Sequence, residues 1–348
     1  MNNVTQTHMA AEIASIPELT RELVKNGRGI TEHIGDLLRQ QNPHVVTTIA
    51  RGSSDHASSY LKYAIELLMG IPVSSTGPSI SSVYGSSMNL KNAASFAISQ
   101  SGESPDIIAM SKTAKDGGSL LLSLTNNSTS PLALLSDQNI NIGAGPELSV
   151  AATKTFVLSI VAGLMVIAQW KQDDELLSAI KALPASFEKA LSCDWSSLTN
   201  HIASNSNQNQ SLYVLGRGPS SAIAQECALK FKETCQLHAE AFSSAEVLHG
   251  PVSIAQDGFT VLALASNDAS SQSVIDSCLQ IADQGVDVFI TAPKQPKLNS
   301  ISSVSTQHPI TGPLVQVVSF YCFIEQLSRK LGLDPDKPPH LNKVTETV

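Results

Sequence analysis

Two nine-residue stretches, FAISQSGES (96–104) and LALASNDAS (262–270), carry the pattern that decides the fold. Each is an apolar run that stops abruptly at small polar residues and is followed by a helical pattern. Residue 96 aligns with residue 262, an offset of 166, and IARGSS (49–54) aligns with LGRGPS (215–220) at the same offset without a gap. Two glycine turns and two strand ends at one spacing indicate a tandem duplication of one unit.

The repeated unit is of the α/β type, because short β-branched or apolar runs alternate with helical segments in both halves. Strands are predicted at 45–50, 71–73, 94–99 and 120–124, and again at 211–215, 259–265 and 286–291. Strands that alternate with helices form a parallel sheet covered on both faces. We therefore predict an α/β fold of two tandem three-layer α/β/α domains.

The sequence divides into five parts on this pattern. We predict an N-terminal helical segment (1–40), a first α/β domain (41–170), a helical linker (171–205), a second α/β domain (206–330) and a C-terminal tail (331–348). The longest apolar run, 156–170, contains a serine and a glycine and is short for a bilayer, so we expect a buried helix rather than a membrane span. The first residues lack the basic and apolar regions of a signal peptide, and we expect a cytoplasmic protein.

Charge and cysteine content exclude several function classes. The formal net charge is −8 and only 15% of residues are charged, with no cluster of Lys or Arg, which argues against nucleic-acid binding. An anionic ligand must then be held locally. The five cysteines are odd in number and irregularly spaced, a reduced intracellular pattern without a zinc site. They are Cys193, Cys227, Cys235, Cys278 and Cys322; we expect Cys227 and Cys235, on one predicted helix, to be small apolar filler.

The first half is rich in hydroxyl groups where its third strand ends. Ser99, Gln100 and Ser101 occupy positions that are Ala265, Ser266 and Asn267 in the second half. Hydroxyls and backbone N–H groups before a helix N-terminus suit an anion, because the helix dipole is positive there. The alternative is an ordinary serine-rich cap and turn.

The second half is rich in ionisable groups at positions that are uncharged in the first. Glu226, Lys230 and Glu233 are spaced i, i+4 and i+7, so they fall within about 60° of one another around a predicted helix. The replacements are Glu226 for Tyr60, Lys230 for Ala64, Glu233 for Leu67, Glu246 for Ile80 and His249 for Val83. A glutamate beside a lysine and a histidine can act as a general acid or base. The alternatives are a solvated helix face with a Glu–Lys pair and a hydrogen-bonded loop histidine.

No cofactor is implied by the remaining patterns. The sequence has no GxxxxGK[ST] loop, its GRG is followed by proline rather than by a dinucleotide-binding pattern, and no His/Cys/Asp cluster has metal-ligand spacing. We expect acid–base chemistry on a small phosphorylated substrate, without cofactor or metal.

Four stretches in order resemble the sugar isomerase (SIS) family in its double-domain form. They are SQSGES, GAGPELSVAATKTF, ALKFKE with HAEAFSSAEVLHGP, and DPDKPPHLNKVTETV, within a likeness that covers residues 20–348. Within the family these stretches resemble the isomerase half of glucosamine-6-phosphate synthase and stand-alone amino-sugar-phosphate deaminases. The resemblance implies tandem flavodoxin-like SIS domains.

By this resemblance Glu233 would move a proton between C1 and C2, His249 of a neighbouring subunit would assist ring opening, and Lys343 would reach the sugar near C1–C2. Glu226 and Lys230 would support Glu233. The sugar phosphate would be bound by Ser99, Gln100, Ser101 and Ser104 with Ser54 and Thr125 nearby, and Val150 and Ala151 would contact the sugar through their backbone. The active site would thus be shared between the subunits of a homodimer.

Two departures concern the substrate. Ala152 stands where the family often has serine, and Lys337-Pro338-Pro339-His340 stands where the synthase has an arginine after the tail proline. The sequence given also lacks the glutamine-hydrolysing domain of the synthase, so we expect degradation rather than synthesis.

The sequence therefore favours a homodimeric deaminase–isomerase that converts glucosamine 6-phosphate to fructose 6-phosphate and ammonia. Three alternatives stay open: a fructosamine-6-phosphate deglycase, an aldose–ketose phosphate isomerase and a non-catalytic sugar-phosphate sensor. The epimer at C4, the direction of the reaction and control by an effector are equally open.

Overall fold

The computed structural model describes residues 6–205 and 211–343. These residues form two compact units, each built around one five-stranded parallel sheet. The first-sheet unit comprises Ile16–Glu147, Lys154–Pro184 and residues 342–343. The second-sheet unit comprises residues 6–15, Leu148–Thr153 and the described part of Ala185–Leu341.

The first sheet has the strand order β2-β1-β3-β4-β5, and each neighbouring pair is parallel. Its strands are β1 (Val45–Ile49), β2 (Val73–Ser75), β3 (Ala93–Ile98), β4 (Leu120–Thr125) and β5 (Gln138–Asn141). The associated helices are α1 (His8–Asn26), α2 (Arg28–Gln41), α3 (Ser53–Met69), α4 (Ser79–Ser82), α5 (Pro105–Asp116), α6 (Pro131–Leu135), α7 (Lys154–Lys171) and α8 (Asp174–Ala190). Helices α1 and α8 contribute residues to both units. All six residues of β3 are buried, because the strand lies at the centre of a covered sheet.

Helices cover both faces of the first sheet. On one face α5 packs Ile107 and Met110 against residues of β1 and β3. On the other face α7 lies against α2 and α3, and it approaches α3 so closely that a Cβ on Gly163 would meet Leu61 at 2.3 Å. Helix α7 is long and apolar enough to cross a membrane, but 89% of it is buried inside the protein, as expected for a core helix.

The second sheet has the order β7-β6-β8-β9-β10, again with parallel neighbours. Its strands are β6 (Ser211–Gly216), β7 (His238–Ser243), β8 (Thr260–Ala263), β9 (Asp287–Ile290) and β10 (Asn299–Ser300). Its helices are α9 (Ser196–Asn205), α10 (Pro219–Cys235), α11 (Ser271–Ala282) and α12 (Gly312–Lys330), with two 3-10 helices at Glu246–His249 and Pro251–Ile254. Helix α11 packs Val274 and Cys278 into one core. Phe231 of α10 packs edge to face against Phe320 and Phe323 of α12 at 5.4 and 5.9 Å, and the rings of Phe320 and Phe323 are tilted at 5.7 Å.

The two units repeat the same local structure. Counted from the edge that carries β2 and β7, both strand orders are the same. Helices α3 and α10 each have 17 residues and are offset by 166 positions, as are α5 and α11. The residues before α3 and α10 are Gly52 (φ 54°, ψ −134°) and Gly218 (φ 62°, ψ −136°). Only glycine adopts this conformation without strain, so the paired glycines are required by the turn.

Candidate functional site

The strand order creates a crevice at the carboxyl ends of β1 and β3. The chain leaves these neighbouring strands in opposite directions along the sheet, and ligands of open parallel sheets bind at such a point. A cleft of about 140 Å³ lies there in the first-sheet unit. It is lined by Arg51, Ser54, Ile98, Ser99, Gln100, Ser101, Ser104, Ile107 and Lys343. The cleft brings together the four predicted phosphate-binding residues of 99–104 and the predicted tail lysine.

The loop between β3 and α5, residues 99–104, is held in a tight conformation. The Gly102 N–H donates to Ser99 Oγ at 3.1 Å, and the Glu103 N–H donates to Ser101 Oγ at 3.2 Å. Gly102 has φ 67°, and a Cβ there would lie 2.2 Å from Ser130 Oγ. The loop therefore needs glycine for both conformation and space. We call residues 99–104 the anion loop.

The anion loop ends at the N-terminus of α5. Ser104 is the N-cap residue, and its side chain makes no capping hydrogen bond within the described contacts. The helix dipole and the first N–H groups of α5 favour a negative charge at this point. The hydroxyls of the loop add donors, so the cleft can bind an anion such as a phosphate ester.

Two further residues predicted to lie near the phosphate have different positions. Ser54 is in the first turn of α3 and lines the cleft. Thr125, at the end of β4, is fully buried, and its hydroxyl lies 3.0 Å from both Asn127 O and Asn139 Oδ1. Thr125 thus supports the chain behind the anion loop rather than lining the cleft.

Lys343 is fixed beside the anion loop by a buried carboxylate. Its Nζ lies 2.9 Å from Glu147 Oε2, and the Glu147 side chain is fully buried. Glu147 also accepts hydrogen bonds from the N–H and the hydroxyl of Thr155, at 3.1 and 2.8 Å, in the first turn of α7. Sequence reasoning missed Glu147, although it lies inside a quoted motif, because its partner is 196 residues away.

Val150 and Ala151 belong to the second-sheet unit, where their segment is tied down on two sides. Glu12 of α1 accepts hydrogen bonds from the backbone of residues 148 and 149 and from Ser149 Oγ. The Val150 N–H donates to Asp336 O at 3.1 Å, and Ser149 Oγ donates to Ala151 O at 3.0 Å. A backbone contact to a sugar would therefore use the Val150 carbonyl or the Ala151 N–H.

Three of the predicted acid–base residues lie on helix α10, where Lys230 contacts both Glu226 and Glu233. Lys230 Nζ lies 3.2 Å from Glu226 Oε1 and 2.5 Å from Glu233 Oε2. Tyr321 of α12 donates to Glu226 Oε1 at 3.0 Å. The side chains of Glu226 and Lys230 are fully buried, whereas that of Glu233 is 21% exposed. Of these three side chains, only that of Glu233 reaches solvent.

Electrostatics keep Lys230 charged. Burial lowers the pKa of Lys230, but the negative charges of Glu226 and Glu233 and their hydrogen bonds outweigh it, so that the pKa is raised. Lys230 is therefore an ammonium at neutral pH and a poor nucleophile. Its ammonium group donates a hydrogen bond to Glu233 Oε2, which orients a carboxylate that can act as a general base.

His249 lies apart from this chain of contacts. It is exposed, at the end of the first 3-10 helix of the second-sheet unit, and Glu246 at the start of that helix is exposed as well. The role of His249 in a neighbouring subunit stays a prediction.

The cysteines are free thiols. Burial raises the pKa of Cys235 and of Cys278 to about 12 and raises that of Cys227 well above its ordinary value. These thiols are inert apolar side chains at neutral pH. Among the residues that the structure describes, no group of three or more His, Cys, Asp or Glu could hold a metal ion.

Comparison with known proteins identifies the family. The family model for the SIS domain matches residues 37–169 and 206–295, one segment for each sheet. The chain belongs to the SIS domain family. Its two matched segments contain the anion loop and the acid–base helix α10, respectively.

This SIS protein is similar to several characterised chains. It is 30% identical over 347 residues to a glutamine–fructose-6-phosphate aminotransferase (isomerising) of Sulfurisphaera tokodaii, a match covering 98% of this chain and 56% of the relative. The chain spans about half the length of the curated relatives it matches.

Solved structures show the same fold. A candidate phosphosugar isomerase from Silicibacter pomeroyi DSS-3 is 48% identical, with a TM-score of 0.91 over 95% of this chain and 100% of that chain. The C-terminal domain of a glucosamine-fructose-6-phosphate aminotransferase from Francisella tularensis is 23% identical, with a TM-score of 0.84 over 97% of this chain and 100% of that chain. The second likeness concerns the fold alone.

Proposed function

We propose that this SIS protein is a hexosamine-phosphate deaminase–isomerase that converts glucosamine 6-phosphate and water to fructose 6-phosphate and ammonia. The observation that carries the proposal is the partly exposed Glu233 carboxylate, 2.5 Å from the fully buried Lys230 ammonium. A carboxylate that is oriented by a buried cation and partly exposed to solvent is suited to take a proton from carbon. Membership of the SIS family supports a phosphosugar as the substrate.

The phosphate of the substrate binds at the anion loop in this proposal. The loop offers hydroxyls from Ser99, Ser101 and Ser104 and the N-terminus of α5. These donors suit a phosphate ester better than a neutral sugar, because the helix N-terminus favours negative charge.

The proton transfer follows ring opening. His249, supplied by the other subunit of a homodimer, assists opening of the pyranose to the aldehyde. Glu233 then takes the proton from C2 and delivers it to C1, while one proton of the amine passes to O1, so that the 2-amino aldose becomes the C2 imine of the ketose. Positioning and proton transfer of this kind typically contribute about 10²–10⁴-fold to the rate.

Ammonia is released in the last step. Water adds to the C2 imine, the C2–N bond breaks and ammonia leaves, so that the overall reaction consumes one water. Alternatively the Lys343 amine displaces ammonia by transimination, and water then hydrolyses the lysine imine. The placement of Lys343 in the cleft with the anion loop is compatible with this role.

A second candidate follows from the curated relatives. They are glutamine–fructose-6-phosphate aminotransferases, and this chain is similar to about half of their length. The same proton transfer run in reverse would aminate fructose 6-phosphate when an amine donor is supplied. A deglycase acting on fructosamine 6-phosphate would also release an amine and use Glu233.

The test is a product-resolved assay on the purified protein. The panel contains glucosamine 6-phosphate, galactosamine 6-phosphate, fructosamine 6-phosphate and, for the reverse direction, fructose 6-phosphate with ammonia or glutamine. We expect ammonia and fructose 6-phosphate from glucosamine 6-phosphate. Turnover of a fructosamine alone would favour the deglycase, interconversion of sugar phosphates without ammonia would favour the plain isomerase, and no turnover would favour a sensor.

A further inference from the structure

Arg51 brings a guanidinium to the cleft that the anion loop lines. Its side chain is 53% exposed and lines the cleft together with Ser54 and Ser99. A chain with a formal charge of −8 must attract an anion through local groups. An arginine is well suited to this, because its planar donors match the oxygens of a phosphate.

The orientation of Arg51 is set by a buried carboxylate. Arg51 Nε lies 3.0 Å from Asp106 Oδ2, and the Asp106 side chain is fully buried in the first turn of α5. Asp106 Oδ1 accepts the N–H of Ile107 at 2.8 Å. The bond to Asp106 uses Nε, and within the described part of the chain the Nη groups of Arg51 make no hydrogen bond, so they can serve a ligand in the cleft.

Carboxylates lie near both cations of the cleft. Burial raises the pKa of Asp55, while the positive charges of His56 and Arg51 lower it, so Arg51 lies within electrostatic reach of Asp55. Asp106 and Asp55 lie near Arg51, and Glu147 lies beside Lys343, so the two cations are not in excess over the neighbouring carboxylates. A bound phosphate would therefore need donors that are already oriented rather than a strong positive field.

The second-sheet unit lacks this arrangement at the corresponding positions. Arg217 occupies the position of Arg51, 166 residues later, but Gln272 occupies the position of Asp106. Gln272 is exposed, and its amide donates to Asp276 at 2.8 Å on the same helix. The arginine is common to both units, whereas the buried carboxylate that orients it belongs only to the unit with the anion loop.

We infer that Arg51 is a ligand of the substrate phosphate and that Asp106 is a positioning residue that holds its guanidinium toward the cleft. The inference rests on the proposed function only in taking the anion loop as a phosphate site. Arg51 is not one of the residues that the family motifs indicate for phosphate binding. It adds a bidentate donor that the serines cannot supply, and it favours a dianionic phosphate ester over a neutral sugar.

The experiment is a calorimetric titration of the full-length protein with inorganic phosphate and, separately, with glucosamine 6-phosphate. The variants are Arg51→Ala, Arg51→Lys, Asp106→Asn and the double variant Arg51→Ala/Asp106→Asn. Arg217→Ala is the matched control. We expect Arg51→Ala to weaken phosphate binding at least tenfold, Arg51→Lys and Asp106→Asn to weaken it severalfold, and Arg217→Ala to leave it unchanged.

The double variant separates positioning from a purely structural effect. If Asp106 acts through Arg51, Asp106→Asn weakens phosphate binding in the wild-type background and has no further effect in the Arg51→Ala background. The double variant also avoids leaving a buried carboxylate without its cation, so that a folding failure of Arg51→Ala alone does not end the test.

Two results would overturn the inference: phosphate binding by Arg51→Ala that is as tight as in the wild type, or no phosphate binding by the wild-type protein. Binding that depends on Arg51 without release of ammonia from any amino sugar would support the inference while the proposed deaminase function fails. If Arg51→Ala releases ammonia from glucosamine 6-phosphate with the wild-type KM, the inference is wrong and the proposed function stands.

Discussion

The crevice of the first sheet is open, whereas the matching crevice of the second sheet is filled by the protein itself. Ser220 and Ser266 occupy the positions of Ser54 and Gln100, and their hydroxyls lie 3.2 Å apart. Gln316 of α12 reaches the same place, with its Oε1 3.2 Å from Ser266 Oγ and its Nε2 donating to Ala265 O at 2.8 Å. One backbone therefore serves either as a ligand site or as a closed core, and the side chains around the crevice decide which.

Helices α3 and α10 make the complementary comparison. Tyr60 and Ala64 are fully buried, and so are their counterparts Glu226 and Lys230. The two buried charges of α10 must compensate each other, because no solvent reaches them. The next residue on the same face of α3 is Leu67, which is 63% exposed, and its counterpart on α10 is Glu233. The two matched helices share two buried positions and differ in the chemistry of the side chains placed there, whereas the third position is exposed in α3 and mostly buried in α10.

Glu233→Gln is the variant with the largest expected effect, and it tests whether helix α10 supplies the general base. We expect kcat for ammonia release to fall about 10²–10⁴-fold, because the amide cannot accept the C2 proton. Binding of inorganic phosphate, which belongs to the other unit in our proposal, should stay unchanged. The exposed Glu22 of α1 provides a matched control, Glu22→Gln, with normal kcat. Near-normal turnover by Glu233→Gln would remove Glu233 from the mechanism.

The next effect concerns stability. Lys230→Met leaves Glu226 buried without its cation and should lower the free energy of unfolding by about 3–5 kcal/mol. Because folding raises the pKa of Lys230, the ion pair stabilises the protein fully below the ordinary lysine pKa and is lost only as the pH rises above it. Urea unfolding at neutral pH measures the loss.

The double variant Glu226→Gln/Lys230→Met tests the same comparison between α10 and α3. It replaces the two buried charged side chains with uncharged ones, as at Tyr60 and Ala64 of α3. We expect it to recover most of the stability lost by Lys230→Met, since no unpaired charge stays buried. A double variant as unstable as the single one would mean that packing, and not charge, governs this position.

A smaller effect is expected from the tight turn of the anion loop. Gly102→Ala combines a positive φ with a clash against Ser130, and should cost about 1–3 kcal/mol and weaken phosphate binding. Gly85→Ala is the control, because Gly85 has φ 58° and open space around it. If both variants bind phosphate normally, the loop conformation is not essential to the site.

The smallest effect is expected at the contact between Glu147 and Lys343, which both belong to the first-sheet unit. Glu147→Gln removes the charge that holds Lys343, and we expect about a tenfold loss of kcat, equivalent to about 1.4 kcal/mol. Thr155→Ala removes one hydrogen bond to Glu147 and should have a weaker effect in the same direction. Steady-state kinetics of both variants measure the loss of kcat, and a larger loss in Thr155→Ala than in Glu147→Gln would contradict this prediction.

Much of the fold was readable in the sequence. The strands expected at 94–99 and 120–124 are β3 and β4, and the offset of 166 residues gives the bounds of α10 and α11 from those of α3 and α5. The burial of the run 156–170 was also predicted and is confirmed by α7. These features follow from local apolar patterns and glycine turns, which act over a few residues.

Other strands were missed for a physical reason. Sequence patterns predict no strand at β5 (QNIN), β7 (HAEAFS) or β10 (NS), which contain polar residues and lie at sheet edges. Their extended conformation comes from pairing with β4, β6 and β9, not from their own propensity. The long helical pattern at 10–40 likewise contains a break, since α1 ends at Asn26 and α2 begins at Arg28.

The sequence by itself determined the α/β units, the family and the types of residue at each strand end, because these depend on periodicity and on glycines that no other residue can replace. Only the tertiary structure decided which charges meet. Glu147 is 196 residues from Lys343, and Asp106 is 55 residues from Arg51, and no local pattern links either pair. The reason is that a buried carboxylate must find its partner in space, and the packing of helices on the sheet sets that distance.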